Sequence, residues 1–173
     1  MTQDHTDTLR SVFITGLKDA HALEHQALAL MDRQIDRMQS YPEVEAQLRK
    51  HRLETEQQIK RLDEILESFG ESHSALKDAV LGMAGNIAAL GHAFAADEIL
   101  KNAMANHAFE NFEVASYVSL ISLSEAASHS SHSMLLRETL KEEEAMAGWV
   151  KDNIPALTLK YVDLRAKNEQ ASH

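Results

Sequence analysis

The stretch HAFENFEVASYVSL, residues 107–120, carries Phe109, Phe112, Val114, Tyr117 and Leu120, enough apolar side chains for the buried face of an amphipathic helix. Two acids interrupt it. Glu110 and Glu113 stand three apart and so share a helix face, and Glu110 lies two turns before Tyr117 and two turns after Ala103. A helix that turns a pair of carboxylates toward its own core needs something there to receive them.

The surrounding sequence has the composition of long helices. Only 6 Gly and 2 Pro punctuate 173 residues rich in Ala, Leu, Glu, Gln, Lys and Met. No stretch reads as a strand. A first helix is predicted over about 7–40, with Leu17, Ala20, Glu24, Ala27, Leu28, Met31, Ile35 and Met38 at helical spacing, and Tyr41-Pro42 ends it. Pro42 then suits the first turn of a second helix with the stripe Leu48, Ile59, Leu62, Leu66 and Phe69, interrupted by the polar run HRLETEQQ and stopped at Gly70. Residues 74–97, rich in Ala and Gly, read as a short crossover helix. A third helix is predicted over about 95–127, a break at SHSSH, and a fourth helix over about 131–153, which Pro155 terminates ahead of a short tail helix. The fold class is therefore all-α, a four-helix bundle with a long crossover connection between helices two and three. We expect one domain over 1–173, with a bundle core at about 7–152 and a C-terminal tail at 153–173.

Composition narrows the function. The absence of cysteine rules out disulfides and thiolate metal sites, so any metal must be held by oxygen and imidazole ligands. A formal charge of −10, with Lys and Arg scattered rather than striped, argues against nucleic acid as a partner. The N-terminal residues lack a basic segment followed by an apolar one. No apolar run approaches the roughly 18 residues of a membrane span. The chain reads as a cytoplasmic, soluble protein with no membrane partner, and no phosphate loop, nucleophile elbow or Ser-His-Asp arrangement fits the helical pattern.

Each hairpin carries inward-leaning acids near its middle. Glu24 shares the stripe of Leu17, Ala20, Leu28 and Met31, away from the solvent face where Asp32, Arg33, Asp36 and Arg37 gather. Glu143 lies on the stripe of Leu136, Thr139, Leu140, Met146, Ala147 and Val150, flanked by Glu142 and Glu144. On helix two Glu54 stands at the stripe's edge, with His51 and Gln58 about a turn to either side. Burying an ionised carboxylate costs several kcal/mol, against a total folding stability of about 5–15 kcal/mol. A core holding Glu24, Glu110, Glu113 and Glu143 needs protons, basic side chains, water or bound cations. Two metal ions meet that need most completely; a lone Glu on a stripe, by contrast, more often keeps its head in water. Both readings stand on the residues alone.

The segments DAHALEHQAL (19–28), HRLETEQQIKRLDEIL (51–66), ENFEVASYVSLISLSE (110–125) and LLRETLKEEEA (135–145) together resemble the bacterial YciE/YciF stress-associated family of ferritin-like proteins. The resemblance extends over about 7–152 and is most specific in the last two motifs. It implies a di-iron carboxylate bundle in which helices one and three give Glu and helices two and four give Glu plus His. Carried over, Glu24 would be the helix-one ligand, Glu54 the helix-two ligand and Glu143 the helix-four ligand. Glu110 and Glu113 would form the Glu-x-x-Glu of helix three, one bridging and the other shifting with redox state. Both expected imidazoles are missing. Position 56 to 58 holds Glu56, Gln57 and Gln58, and the helix-four position holds Met146 or Ala147. Gln58 could offer a weak oxygen ligand, and His51 could reach in from the preceding turn. His21 and His107, each one turn before a proposed ligand, read as surface residues, and Tyr117 either hydrogen-bonds a ligand carboxylate or fills the core.

Two functions follow. The first is a di-metal protein binding two Fe ions, or Mn, through Glu24, Glu54, Glu110, Glu113 and Glu143, oxidising Fe(II) or reducing peroxide. The second is a non-catalytic structural or stress protein with a degenerate metal site. A homodimer is expected in either case, since a first helix this long can present a further apolar stripe.

Overall fold

The computed structural model describes residues 2–71 and 97–172. Four helices make up most of them: α1 (Gln3–Ile35), α2 (Pro42–Ser68), α3 (Glu98–Ala126) and α4 (Ser130–Ala166). No strand occurs among the described residues, and no described helix is long and apolar enough to cross a membrane. The expected crossover helix lies outside the described residues except for Asp97.

Local chemistry sets the boundaries. Thr2 caps α1 by accepting the His5 N–H. The helix stops at Ile35, short of the predicted end, because the chain folds back through 36–41 to bury Met38 and Tyr41 in the core. Pro42 opens α2 in its first turn, where a missing N–H costs nothing. Gly70, at φ +78°, closes α2: its N–H donates to the Glu67 carbonyl and the Glu71 N–H to that of Leu66.

The fourth helix departs from expectation, running through Pro155 to Ala166 as one element with no separate tail helix. Pro155 denies the Lys151 carbonyl its helical partner, but both residues are exposed, where water can satisfy it. Beyond Pro155 the buried Leu157, with Tyr161 and Leu164 packed against the core, holds the last turns in place. Tertiary packing thus overrides the break that a proline signals in sequence.

Helices α1 and α2 form one hairpin and α3 and α4 the other, with α1 lying on α3 and α2 on α4. Cross-links such as Arg10 to the Phe69 carbonyl and Arg52 to Asp32 show that the first pair runs antiparallel. The core is divided along its length. One apolar cluster gathers Leu23, Met31, Met38, Leu48, Ile99 and Met146 with their neighbours; the other gathers Phe13, Leu17, Leu62, Ile65, Tyr117 and Leu136. Between them every helix contributes buried polar side chains.

The chain's end is tied to the α1–α2 turn. Tyr41 Oη donates to the buried Ala171 carbonyl at 2.7 Å, Ser40 Oγ donates to the Gln170 carbonyl, and the Ile99 N–H donates to that of Ser172. Tyr41→Phe removes the donor and leaves a buried carbonyl unpaired, so we expect a loss of about 1–2 kcal/mol in stability. A denaturant midpoint unchanged from wild type would show that the tie carries no load.

Candidate metal centre

The polar layer comprises Glu24 from α1, His51, Thr55 and Gln58 from α2, Glu110 and Glu113 from α3, and Thr139 and Glu143 from α4, all buried. Helical spacing explains the helix-two members: His51, Thr55 and Gln58 continue the stripe of Val44 and Leu48 toward Leu62 at steps of three and four. The run that looked like a polar interruption of the stripe is the stripe itself.

His51 is the hub. Its Nδ1 lies 3.2 Å from Glu54 Oε2, and its Nε2 lies 3.3 Å from Glu110 Oε2 and 3.6 Å from Glu143 Oε2. These last three atoms converge within 4.8 Å of one another, and none of them has a hydrogen-bond partner of good geometry. Ligand atoms that share one ion at about 2.0–2.2 Å stand roughly 3–3.6 Å apart, and the two distances from His51 Nε2 fall in that range. Further orphaned oxygens lie in the same layer: Glu24 Oε2, both carboxylate oxygens of Glu113, Thr55 Oγ1 and Gln58 Oε1. Buried acceptors left without donors are costly, and cations are the groups that relieve them.

Supporting contacts fix the carboxylates. Tyr117 Oη donates to Glu24 Oε1. Gln58 Nε2 donates to Glu143 Oε1 and, at 3.1 Å, to Glu142 Oε2. Arg61 holds Glu142 from outside at 2.7 and 3.0 Å, and donates to Glu138 and Thr139 as well.

Of the acids singled out in the sequence, Glu24, Glu110, Glu113 and Glu143 come together in the buried layer. Glu54 does not join them; it stands at the layer's edge, 24% exposed, between Lys50 at 2.8 Å and His51. His51, a secondary candidate by sequence, takes the central place. His21 is buried against Asp63 rather than on the surface, and His107 is half-buried beside Asn111. Tyr117 is both a core side chain and a partner of Glu24. Gln58 turns its amide nitrogen, not its oxygen, toward Glu143, and Met146 is packed in the apolar cluster.

A family model described as a domain of unknown function, DUF892, matches residues 8–163. The chain belongs to the DUF892 family. Protein YciF of Escherichia coli (strain K12) is 29% identical over 170 residues, covering 94% of this chain and 97% of that protein. The crystal structure of the E. coli stress protein YciF superposes with a TM-score of 0.67 at 26% identity, over 84% of this chain and 94% of that one. A crystal structure of a Xanthomonas campestris pv. campestris protein gives 0.76 at 25% identity, over 91% and 99%. The chain is therefore of the YciF type, as its motifs implied, and its DUF892 fold is an all-helical bundle consistent with the ferritin-like class.

Burial sets the ionisation of the layer. Desolvation raises Glu24 from 4.5 to about 8, against the Tyr117 hydrogen bond and the His51 charge that lower it. Burial likewise pushes Glu113 and Glu143 well above the ordinary carboxylate range, with neighbouring acids adding to the shift. For His51 desolvation favours the neutral ring, but the neighbouring carboxylates of Glu110, Glu54 and Glu143 outweigh it and lift the imidazole well above 6.5. The His51 hydrogen bond takes Glu54 the other way, down to about 2. Glu24, Glu113, Glu143 and His51 all bind more protons folded than unfolded above their ordinary values, so their contribution falls as pH rises. Glu54 contributes stability above 4.5 that is lost as pH falls toward about 2. The chelator-treated protein should therefore melt highest near pH 5 and at progressively lower temperature toward about pH 8. A melting temperature that rises over that interval would contradict the burial of uncompensated acids.

Proposed function

We propose that the polar layer is a two-ion iron or manganese carboxylate centre, and that the protein uses it in stress-related Fe(II) oxidation or peroxide reduction. The observation that carries this reading is the convergence of the orphaned His51 Nε2, Glu110 Oε2 and Glu143 Oε2. His51, Glu110 and Glu143 would hold one ion, and Glu24 and Glu113, which carry the remaining orphaned carboxylate oxygens of the layer, would hold the second. Bound iron supplies electrons to an oxygen species and is itself oxidised.

The chain's own residues do the rest. Glu54 accepts from His51 Nδ1, which holds the ring in the tautomer that presents Nε2 to the layer. Its role is thus to orient the helix-two ligand, while His51 occupies the ligand position. Gln58 and Tyr117 hold one oxygen each of Glu143 and Glu24 and leave the others for cations. The two apolar clusters close the layer from both ends and keep water out.

One observation favours the non-catalytic alternative. The positions where ferritin-like proteins place their other imidazoles hold Gln58, engaged as a hydrogen-bond donor, and Met146, engaged in packing. Fewer nitrogen ligands weaken the hold on borderline metals. The proposal further includes a cytoplasmic homodimer, for which the apolar groove between α1 and α3, with Phe112 60% and Val12 51% exposed, offers a face. Phe112→Glu is expected to shift the sedimentation coefficient to that of a monomer; a monomeric wild type would remove this part.

Metal content by mass spectrometry, after anaerobic Fe(II) loading and desalting, tests the centre directly. About two ions per chain are expected in the wild type, with most of them lost in Glu110→Ala/Glu113→Ala and in His51→Ala. Glu54→Gln should retain the ions at an affinity lower by about 10–100-fold. Metal-free protein after loading would leave the structural reading standing.

A further inference from the structure

Across α1 and α2 a second constellation shares no residue with the polar layer. The sequence His21-Ala-Leu-Glu24-His25 sets two histidines one turn apart on α1. His21 is nearly buried, and its Nε2 lies 3.1 Å from Asp63 Oδ1 on α2. The exposed His25 packs its ring edge-on to that of His21, centroids 4.7 Å apart at 63°. Glu24, between them in sequence, faces the other way and meets Tyr117 of α3.

We propose that His21, His25 and Asp63 form a separate site for a single divalent first-row transition-metal ion, reached from solvent. Histidines at i and i+4 have Cβ atoms about 5–6 Å apart, the spacing by which one helix face presents two imidazoles to one ion. The 3.1 Å between His21 and Asp63 is also the separation of two ligands on a common ion. His25, being exposed, turns about its side-chain torsions to complete the chelate while His21 and Asp63 are held by packing between two helices. Two imidazoles and one carboxylate suit Zn(II) or Ni(II), which such ligands hold more tightly than Fe(II), and not the all-oxygen preference of Ca(II) or Mg(II). Asp63, about a quarter exposed, leaves the remaining positions to water. The site does not depend on the proposed centre in the core, because it shares no ligand with it.

Zn(II) binding by the full chain, measured by calorimetry and by metal counting after equilibrium dialysis, tests the assignment. In the Glu110→Ala/Glu113→Ala background about one Zn(II) per chain should remain, weakened at least tenfold by His25→Ala or Asp63→Asn. The fold is followed by circular dichroism. In otherwise wild-type protein His25→Ala should lower the Zn(II) count by the same single ion and leave Fe(II) retention in the core unchanged, so failure of the outer site and failure of the inner one read out separately. Equal Zn(II) binding with and without His25 and Asp63, or none in the double-variant background, would overturn the proposal. His25 is exposed, so its replacement leaves the packing of α1 intact.

Discussion

Four buried glutamates around one imidazole are the constraint to which the rest of this bundle answers. Taking such a group out of water costs more than a typical domain has to spare, so the structure must offset it locally. His51 provides the first part of that offset by meeting Glu54 on one ring nitrogen and facing Glu110 and Glu143 on the other. Tyr117 and Gln58 provide the second through hydrogen bonds to Glu24 and Glu143. What they leave over is a set of buried oxygens with no hydrogen-bond partner, where a polar core that satisfies itself would leave none.

The apolar clusters make the layer possible because they carry the folding energy on either side of it. Phe13, Leu17, Leu62 and Leu136 lie at one end, and Leu48, Met31, Ile99 and Val150 at the other, so the bundle is two small cores joined through a polar waist. Each helix must therefore bridge both clusters. On α4, Leu157, Tyr161 and Leu164 extend the second cluster past Pro155, so packing carries the helix beyond the point where sequence signals end it.

Much of this is legible in the sequence. Helix number, order and the inward tilt of Glu24, Glu110, Glu113 and Glu143 follow from the 3.6-residue period, since an acid that interrupts an apolar stripe at that period has nowhere else to point. Helix two is harder to read, for a physical reason. There the layer uses His51, Thr55 and Gln58, none of them apolar, so the stripe seemed broken and the neighbouring Glu54 stood out by charge alone. Following positions 44, 48, 51, 55, 58 and 62 by spacing, without regard to polarity, identifies the buried face. The burial of His21 was not legible either, because it depends on Asp63 from another helix.

The two ends of the layer differ in a way that bears on how it would accept cations. Glu54, about a quarter exposed and paired with His51 and Lys50, is held down to about 2 and stays charged. Glu24, enclosed between α1 and α3, is raised to about 8 and favours its proton at neutral pH. The same side chain thus has opposite ionisation at the rim and in the depth, set by burial and by neighbours. In the metal-free state protons and the His51 imidazolium stand in for positive charge that the inner acids require. On the proposed reading, a cation entering the layer would displace protons instead of meeting preformed open charge, which would couple occupancy to pH and let a bundle with a carboxylate-lined waist fold before it is filled.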